Sequence, residues 1–373
     1  MTMKKLLCKT LTLVMLVMPI GHATNPTPTN ENAASEATGW VLDANLTPVK
    51  IPILSNISAI AAGGFKAKLA LNKNGTVWEW GDLLKGTTNY SSIPVQVSGL
   101  SNIVAISVGD YHCLALKKDG TVWTWGLNSQ GSIPIQVKGL SNVIAIAAGS
   151  SHNVALRNDG TVWEWGCSGC SMYGKEFRDL SNFDSPIPVR VAGLSNVVSI
   201  ADTLNLRLAL KKDGTVWVWN IIDQGKLFRD GKKIEDYSPR RMIGLSDIIA
   251  ISANNGFCLV LKNNGTVQIP DPVFSSPIRE GDIGDVIAIA AGNGYSLVLE
   301  NDRTVWAWGS NNYGELGNGT TTTIYQPHPV KVNGLSDVTS IAAGYADSIA
   351  LKKDGTVWAW GLKGTVEPND EGD

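Results

Sequence analysis

Histidine and cysteine are sparse here, four and five residues among 373, and their scarcity narrows the chemistry first. A metal centre needs three or four convergent ligands, and no spacing of His, Cys, Asp or Glu signals one. Neither a Ser/His/Asp arrangement nor a phosphate-binding glycine loop can be picked out. No cluster of Lys or Arg stands out against the slight acidic excess of 33 acids over 31 bases, which argues against nucleic acid as a partner. Long apolar runs are missing after residue 20, so no later segment is read as crossing a bilayer. These absences leave no catalytic residue, cofactor or metal to assign, and the chain is not expected to be an enzyme. What the sequence has in quantity is glycine (39 residues) and tryptophan (13 residues).

The first 23 residues read as a signal peptide. Lys4, Lys5 and Lys9 flank the start of an apolar run, Leu11 to Ile20, and Gly21-His22-Ala23 supplies small residues ahead of Thr24. An uncleaved anchor is the alternative, though the run is short for one. Removal of this segment takes Lys+Arg from 31 to 28 against 33 acids, a net charge near −5. Residues 24–38 are polar, Pro-containing and aperiodic, and are read as a disordered linker. Residues 363–373 are read as an acidic tail.

Between them, over residues 39–362, self-similarity dominates. The apolar runs of the type Asn142-Val143-Ile144-Ala145-Ile146 end on seven anchors: Ile60, Ile106, Ile146, Ile200, Ile251, Ile289 and Ile341. Seventeen residues after six of them stands the first site of a W-x-W pair, occupied by Gln268 in the fifth copy; in the first copy the interval is 18, with one residue inserted near Lys66. Each cassette reads as three short strands. The first is β-branched and Ala-rich, the second alternates, and the third carries the tryptophans. Asp-Gly or Asn-Gly separates the second from the third, as at Asn74-Gly75 and Asp119-Gly120, and is expected to form a type I′ turn. A fourth strand follows a variable loop, as in Pro94-Val95-Gln96-Val97, where Pro fits an edge. Seven four-stranded units predict an all-β, seven-bladed propeller. Thr47 to Ile51 matches a fourth strand with no cassette before it, while the last cassette ends at Gly361. The N-terminal strand is therefore expected to complete the C-terminal blade and close the ring, with Trp40 nearby.

The repeat resembles the regulator of chromosome condensation (RCC1-type) family. Its fullest copy is Ile289-Ala290-Ala291-Gly292 with Val305-Trp306-Ala307-Trp308-Gly309-Ser310-Asn311-Asn312-Tyr313-Gly314-Glu315-Leu316-Gly317-Asn318-Gly319-Thr320, and His112 and His152 match the family's histidine. The resemblance spans about Trp40 to Gly361 and implies a seven-bladed propeller. Nuclear members act as guanine-nucleotide exchange factors on chromatin, a role at odds with an export signal. The chain is more similar to secreted bacterial members, which include propeller inhibitors that bind β-lactamases across one face. The fourth and fifth copies depart from the pattern: Asn220 replaces the motif Gly, Gln268-Ile269 replace both tryptophans, and Thr203 and Asn254 replace the first-loop Gly.

Twelve tryptophans lie in W-x-W pairs, whose spacing of two puts both rings on one side of the strand, ready to pack on the neighbouring blade; sugar stacking is the alternative use. Asp119, Asp159, Asp213 and Asp354 occupy equivalent turns, so hairpin chemistry explains them better than paired catalytic carboxylates, which must face each other. His112 and His152 are equivalent to Leu206, Phe257, Tyr295 and Asp347, a substitution range that suits loop pinning better than ligation. Cys113 and Cys258 fall at one repeat position on non-adjacent blades and read as buried free thiols. Cys167 and Cys170 open a long loop and are expected to form a small disulfide, with metal binding or redox chemistry as alternatives.

Strand alternation puts the a–b and c–d loops on one face and the near-constant b–c and d–a turns on the other. The variable face is aromatic. Its candidate binding residues are Phe65, Lys66, Tyr111, His112, His152, Tyr173, Phe177, Phe228, Arg229, Tyr237, Phe257, Tyr295 and Tyr345. The expected protein is an exported monomer, periplasmic or extracellular. It would be a scaffold engaging another protein, with inhibition of an extracytoplasmic enzyme as one form of that engagement. A glycan- or cell-wall-binding lectin is the alternative, and a sialidase-like hydrolase the third reading.

Overall fold

Each cassette folds as the sequence pattern dictates, into antiparallel strands set side by side. In the first blade these are Ile57–Ala62, Lys68–Asn72, Val77–Gly81 and Ser91–Gln96, hydrogen-bonded in that order. The second, third, fourth and sixth blades repeat the arrangement, and the fifth contributes Ile248–Asn254, Phe257–Lys262 and Val267–Gln268. The computed structural model describes residues 46–64, 67–81, 91–126, 133–150, 152–166, 187–203, 206–219, 228–229, 232–233, 238–270 and 283–362. The leader, linker, acidic tail and Trp40 lie outside them, as do Cys167 and Cys170. No described helix is long and apolar enough to cross a membrane.

The ring is closed by the N-terminal strand. Val49–Lys50 adds antiparallel to Val357–Gly361, with Val49 opposite Ala359 and Lys50 opposite Trp358, and Ile51 N donates to Val357 O at 2.9 Å. N-terminal and C-terminal strands thus share one blade, and the first and seventh blades pack together at the closure.

The hydrophobic core is divided into seven slabs, one at each junction between blades. At the junction of the seventh and first blades, Ile51, Leu54, Trp80, Ile349, Leu351 and Val357 pack together. The two tryptophans of a pair divide the labour. The second ring (Trp80, Trp125, Trp165, Trp219, Trp308, Trp360) is buried against the preceding blade. The first stays half-buried, and in the second, third, fourth and seventh blades it lies under the cation that ends the middle strand, as with Lys117 over Trp123 at 4.0 Å and Lys211 over Trp217 at 4.1 Å. Among the described residues the slab between the fourth and fifth blades holds no tryptophan, because Gln268 and Ile269 stand at the motif positions; Met242, Leu245, Cys258 and Val260 fill it instead.

The Asp-Gly turns differ from the expected type. Gly75 N donates to Asn72 O, and Gly75 has φ 83° while Asn74 does not have a positive φ. This is a three-residue loop, a turn of negative φ followed by one left-handed glycine, rather than a two-residue type I′ turn. The geometry frees the Asp or Asn side chain for another use. Asp119 Oδ1 accepts both the backbone N–H and the hydroxyl of Thr121, at 2.9 and 2.7 Å, and Asn74, Asp159, Asp213, Asn264, Asp302 and Asp354 do the same for their threonines. Arg303 takes the glycine's place in the sixth blade at φ 72°.

Candidate functional site

The two faces of the ring are built differently. On the b–c/d–a face the glycine of each turn touches the next blade: Ile103 N donates to Gly75 O at 3.1 Å, Val197 N to Gly160 O at 3.3 Å, and Ile57 N to Gly355 O at 3.2 Å across the closure. Asn56, Asn102, Asn142, Asn196, Asp247, Asp285 and Asp337, one ahead of each inner strand, adopt positive φ to make the approach. The constancy of these turns in sequence is thus a constancy of contact between blades.

On the opposite face the inner strands end around a central channel of about 240 Å³ to which all seven blades contribute. Its wall is mostly Ala and Gly from the inner strands. Its mouth is polar: Asp110, Ser150, Asp202, Thr203, Asn254 and Asn255. Thr203 and Asn254, departures from the repeat, are therefore the residues that make this mouth unlike its wall. Asn254 Nδ2 donates to Ala343 O at 3.2 Å and Gly344 O at 3.3 Å, linking the fifth blade to the seventh, while Asn255 Nδ2 donates to Asn293 Oδ1 at 2.7 Å.

Behind the mouth runs a belt of buried polar side chains, each tying one blade to the next. His112 Nε2 donates to Asn153 Oδ1. His152 Nδ1 donates to Asp202 Oδ2 at 2.9 Å. Arg207, 2% exposed, stands 3.6 Å from Glu164 and 3.9 Å from Asp202. Lys68 of the first blade pairs with Asp347 of the seventh. Tyr295 Oη donates to Asp347 O at 2.6 Å and accepts from Ser348 Oγ at 3.1 Å. Burial lowers the His112 imidazole below its ordinary pKa, against its hydrogen bond to Asn153. Burial raises the Asp110 carboxyl, opposed by the Ser150 hydroxyl and by His152, with Asp202 adding to the rise. Glu79, raised by burial, accepts from Trp125 Nε1 at 2.7 Å.

The candidate residues from the sequence separate accordingly. Tyr345 is 37% exposed and Tyr111 half-buried beside the mouth, its hydroxyl raised by burial and by Asp110. Phe257 is half-buried against the slab between the fifth and sixth blades. Tyr295 is fully buried, and His152 nearly so, while His112 is part-buried; all three hydrogen-bond across to the next blade. Enclosed between blades, Tyr295 and His152 present little surface on the loop face. Phe65, Lys66, Tyr173, Phe177 and Tyr237 lie outside the described residues, and of Phe228 and Arg229 only the backbone, a short strand paired with Lys232–Lys233, is described. Sequence reasoning missed Asp110, Asp202, Arg207 and Lys68. The one available signal was the replacement of the small loop residues by Asp202-Thr203 and Asn254-Asn255 in the aberrant copies. Cys113 and Cys258 are buried and in no disulfide, the first raised well above the ordinary thiol range by burial. Among the described residues no three His, Cys, Asp or Glu converge on a possible metal site.

The architecture defines a seven-bladed β-propeller with one stapled face and one loop-rich face around an open channel. Profiles described as the regulator of chromosome condensation (RCC1) repeat match residues 302–351 and, for a second profile, 103–132, 143–171 and 286–315. These segments carry repeats of the RCC1 type. The E3 ubiquitin-protein ligase HERC2 of Homo sapiens and that of Mus musculus are each 40% identical to it over 57 residues, 15% of this chain. The chain spans about 1% of the length of these curated relatives. Prp20p from Saccharomyces cerevisiae shares the fold with a TM-score of 0.63 at 20% identity, over 83% of both chains. Human WBSCR16 gives 0.63 at 20% identity, over 82% of this chain and 87% of its own.

Proposed function

We propose that this chain is an exported scaffold that binds another protein across its a–b/c–d loop face. The observation that carries the reading is the asymmetry of the ring. One face is committed to hydrogen bonds between blades. The other surrounds the channel with loops of unequal length, and presents Tyr345 and part of Tyr111 beside a polar mouth. A rigid scaffold carrying variable loops, with Tyr at the rim, is the form in which protein-binding surfaces are commonly built. Prp20p, which shares the fold, has binding properties toward Gsp1p and histones, which is in keeping with a propeller that binds proteins. Where the partner is an extracytoplasmic enzyme, occupancy of its surface by this face would inhibit it.

The test is affinity capture from extracellular and envelope extracts with three immobilised baits spanning residues 24–373. These are the native sequence, Tyr111→Ser with Tyr345→Ser, and Asp159→Asn with Asp213→Asn on the stapled face. A protein retained by the first and third baits and lost by the second is expected. Retention by all three removes the loop face from the reading, and capture of polysaccharide alone replaces it with the lectin. Export is checked separately: N-terminal sequencing of the native protein should begin at Thr24.

A further inference from the structure

The channel mouth contains a buried carboxylate that the protein itself does not satisfy. Asp202 has a side chain with no exposure, and it lines the channel. Its Oδ2 accepts from His152 Nδ1 at 2.9 Å. Its Oδ1 has no hydrogen-bond donor, and Arg207 Nε stands 3.9 Å away, beyond hydrogen-bonding reach. Buried polar atoms are almost always paired in folded proteins, so a carboxylate oxygen without a donor inside a solvent-open cavity is a place for a donor from outside.

A second carboxylate, that of Asp110, is bonded to the third blade's loop. Asp110, from the second blade, is tied to that loop through its backbone N to Gly149 O at 3.2 Å and through its carboxyl to Ser150. The Asp202 carboxyl packs over Gly149, where no Cβ would fit. The two acids therefore flank Gly149-Ser150 at the mouth. Around it Asp110, Asp202 and Glu164 stand against one guanidinium, Arg207, and one imidazole, His152. The burial that raises the Asp110 carboxyl is an electrostatic cost that an incoming cation would offset. The inner strands contribute further acceptors, because each has a strand partner on one side only. A channel of about 240 Å³ walled by Ala and Gly admits a long side chain but no folded element.

We propose that the channel mouth is a receptor for an ammonium or guanidinium group, carried on a Lys or Arg side chain of the docked protein and held between Asp202 and Asp110. This deepens the docking reading and rests on it. The cation would donate to Asp202 Oδ1, with the aliphatic stem lying along the alanine wall. Such insertion would also fix the partner's position over the ring.

The alanines give a direct reporter. The full mature chain, labelled at alanine methyls, is titrated with acetyl-Gly-Lys-Gly-amide, its Arg and Gln counterparts, butylammonium, and calcium chloride alone, and followed by NMR. Saturable shifts of the methyls of Ala62, Ala148, Ala291 and Ala343 are expected with the Lys or Arg peptide and not with Gln. Asp202→Asn should weaken the Lys peptide by about tenfold or more, the loss of a hydrogen bond to a charged group. Asp110→Asn, which leaves the His152–Asp202 pair in place, should weaken it in the same direction with the remaining methyl spectrum unchanged. Butylammonium binding as tightly as the peptides would identify a free amine as the source of the same chemistry. Equal shifts with the Gln peptide, a response to calcium alone, or no saturable response to either cationic peptide would overturn the proposal. Retention of the captured partner by an Asp202→Asn bait, with loss by the Tyr111→Ser/Tyr345→Ser bait, would remove this inference and leave the docking reading standing.

Discussion

Lys68 and Asp347 form an ion pair buried in the wall between the first and last blades, with side chains 3% and 6% exposed. The pair is a second closure, on the loop-rich side of the same junction at which Val49–Lys50 completes the seventh blade. Removing one partner strands a charge away from water. Lys68→Met is therefore expected to destabilise the ring by about 3–5 kcal/mol, whereas Lys68→Met with Asp347→Leu should recover most of that loss. Urea denaturation of the two variants measures the difference.

The turn aspartates should govern stability in acid. Asp119, Asp159, Asp213, Asp302 and Asp354 have their pKa lowered, first by the threonine hydroxyl and then by its backbone N–H. A carboxyl lowered on folding contributes stability that is present above its unfolded value, about 3.9, and lost as pH falls through the folded value. Asn74 and Asn264 make the same bonds without titrating. Changing the five aspartates to asparagine should flatten the decline of the urea midpoint between about pH 4 and 2. An unchanged slope would place acid sensitivity elsewhere.

Arg303 occupies a left-handed position that glycine fills in six other turns, at φ 72°. A side chain there costs about 1–2 kcal/mol, part of which is returned by the lower chain entropy of a non-glycine residue when unfolded. Arg303→Gly should therefore raise stability by about 1 kcal/mol, read as a higher melting temperature.

The junction between the fourth and fifth blades should open first. Its slab has no tryptophan among the described residues, and Met242, Leu245 and Cys258 provide less aromatic surface than Trp360 does between the sixth and seventh blades. Hydrogen exchange should show the lowest protection for Ile248–Asn254 and Phe257–Lys262, compared with Val338–Ala343 and Asp347–Lys352.

Tyr295 shows why a surface cannot be read from residue type. Its position on an a–b loop and its aromatic character suggest a docking residue, yet its hydroxyl donates to Asp347 O at 2.6 Å inside the wall. Tyr295→Phe should cost about 1 kcal/mol through the lost hydrogen bond, and an alanine there would empty part of a slab rather than probe a partner. The repeat-equivalent His152 is held by Asp202, 50 residues further on. Neither partner lies in its own repeat, and nothing local in sequence marks the pairing.

The turns teach a related lesson at shorter range. Asp-Gly or Asn-Gly located six of the seven hairpin tips, because Gly alone takes the positive φ without strain, and Arg303 stands in the seventh. The turn type was misjudged, since a carboxylate that caps a threonine two residues on requires the Asp itself to keep a negative φ.

Strand number, blade number, ring closure by Val49–Lys50 and the division into a constant and a variable face follow from the sequence by itself. They rest on alternation, turn residues and spacing, all encoded within some 50 contiguous residues and repeated seven times. The channel mouth, the polar belt and the orphaned oxygen of Asp202 were decided only by the tertiary structure. They are assembled from residues on different blades, so their proximity exists only once the ring has closed, and their burial follows from how neighbouring blades enclose them.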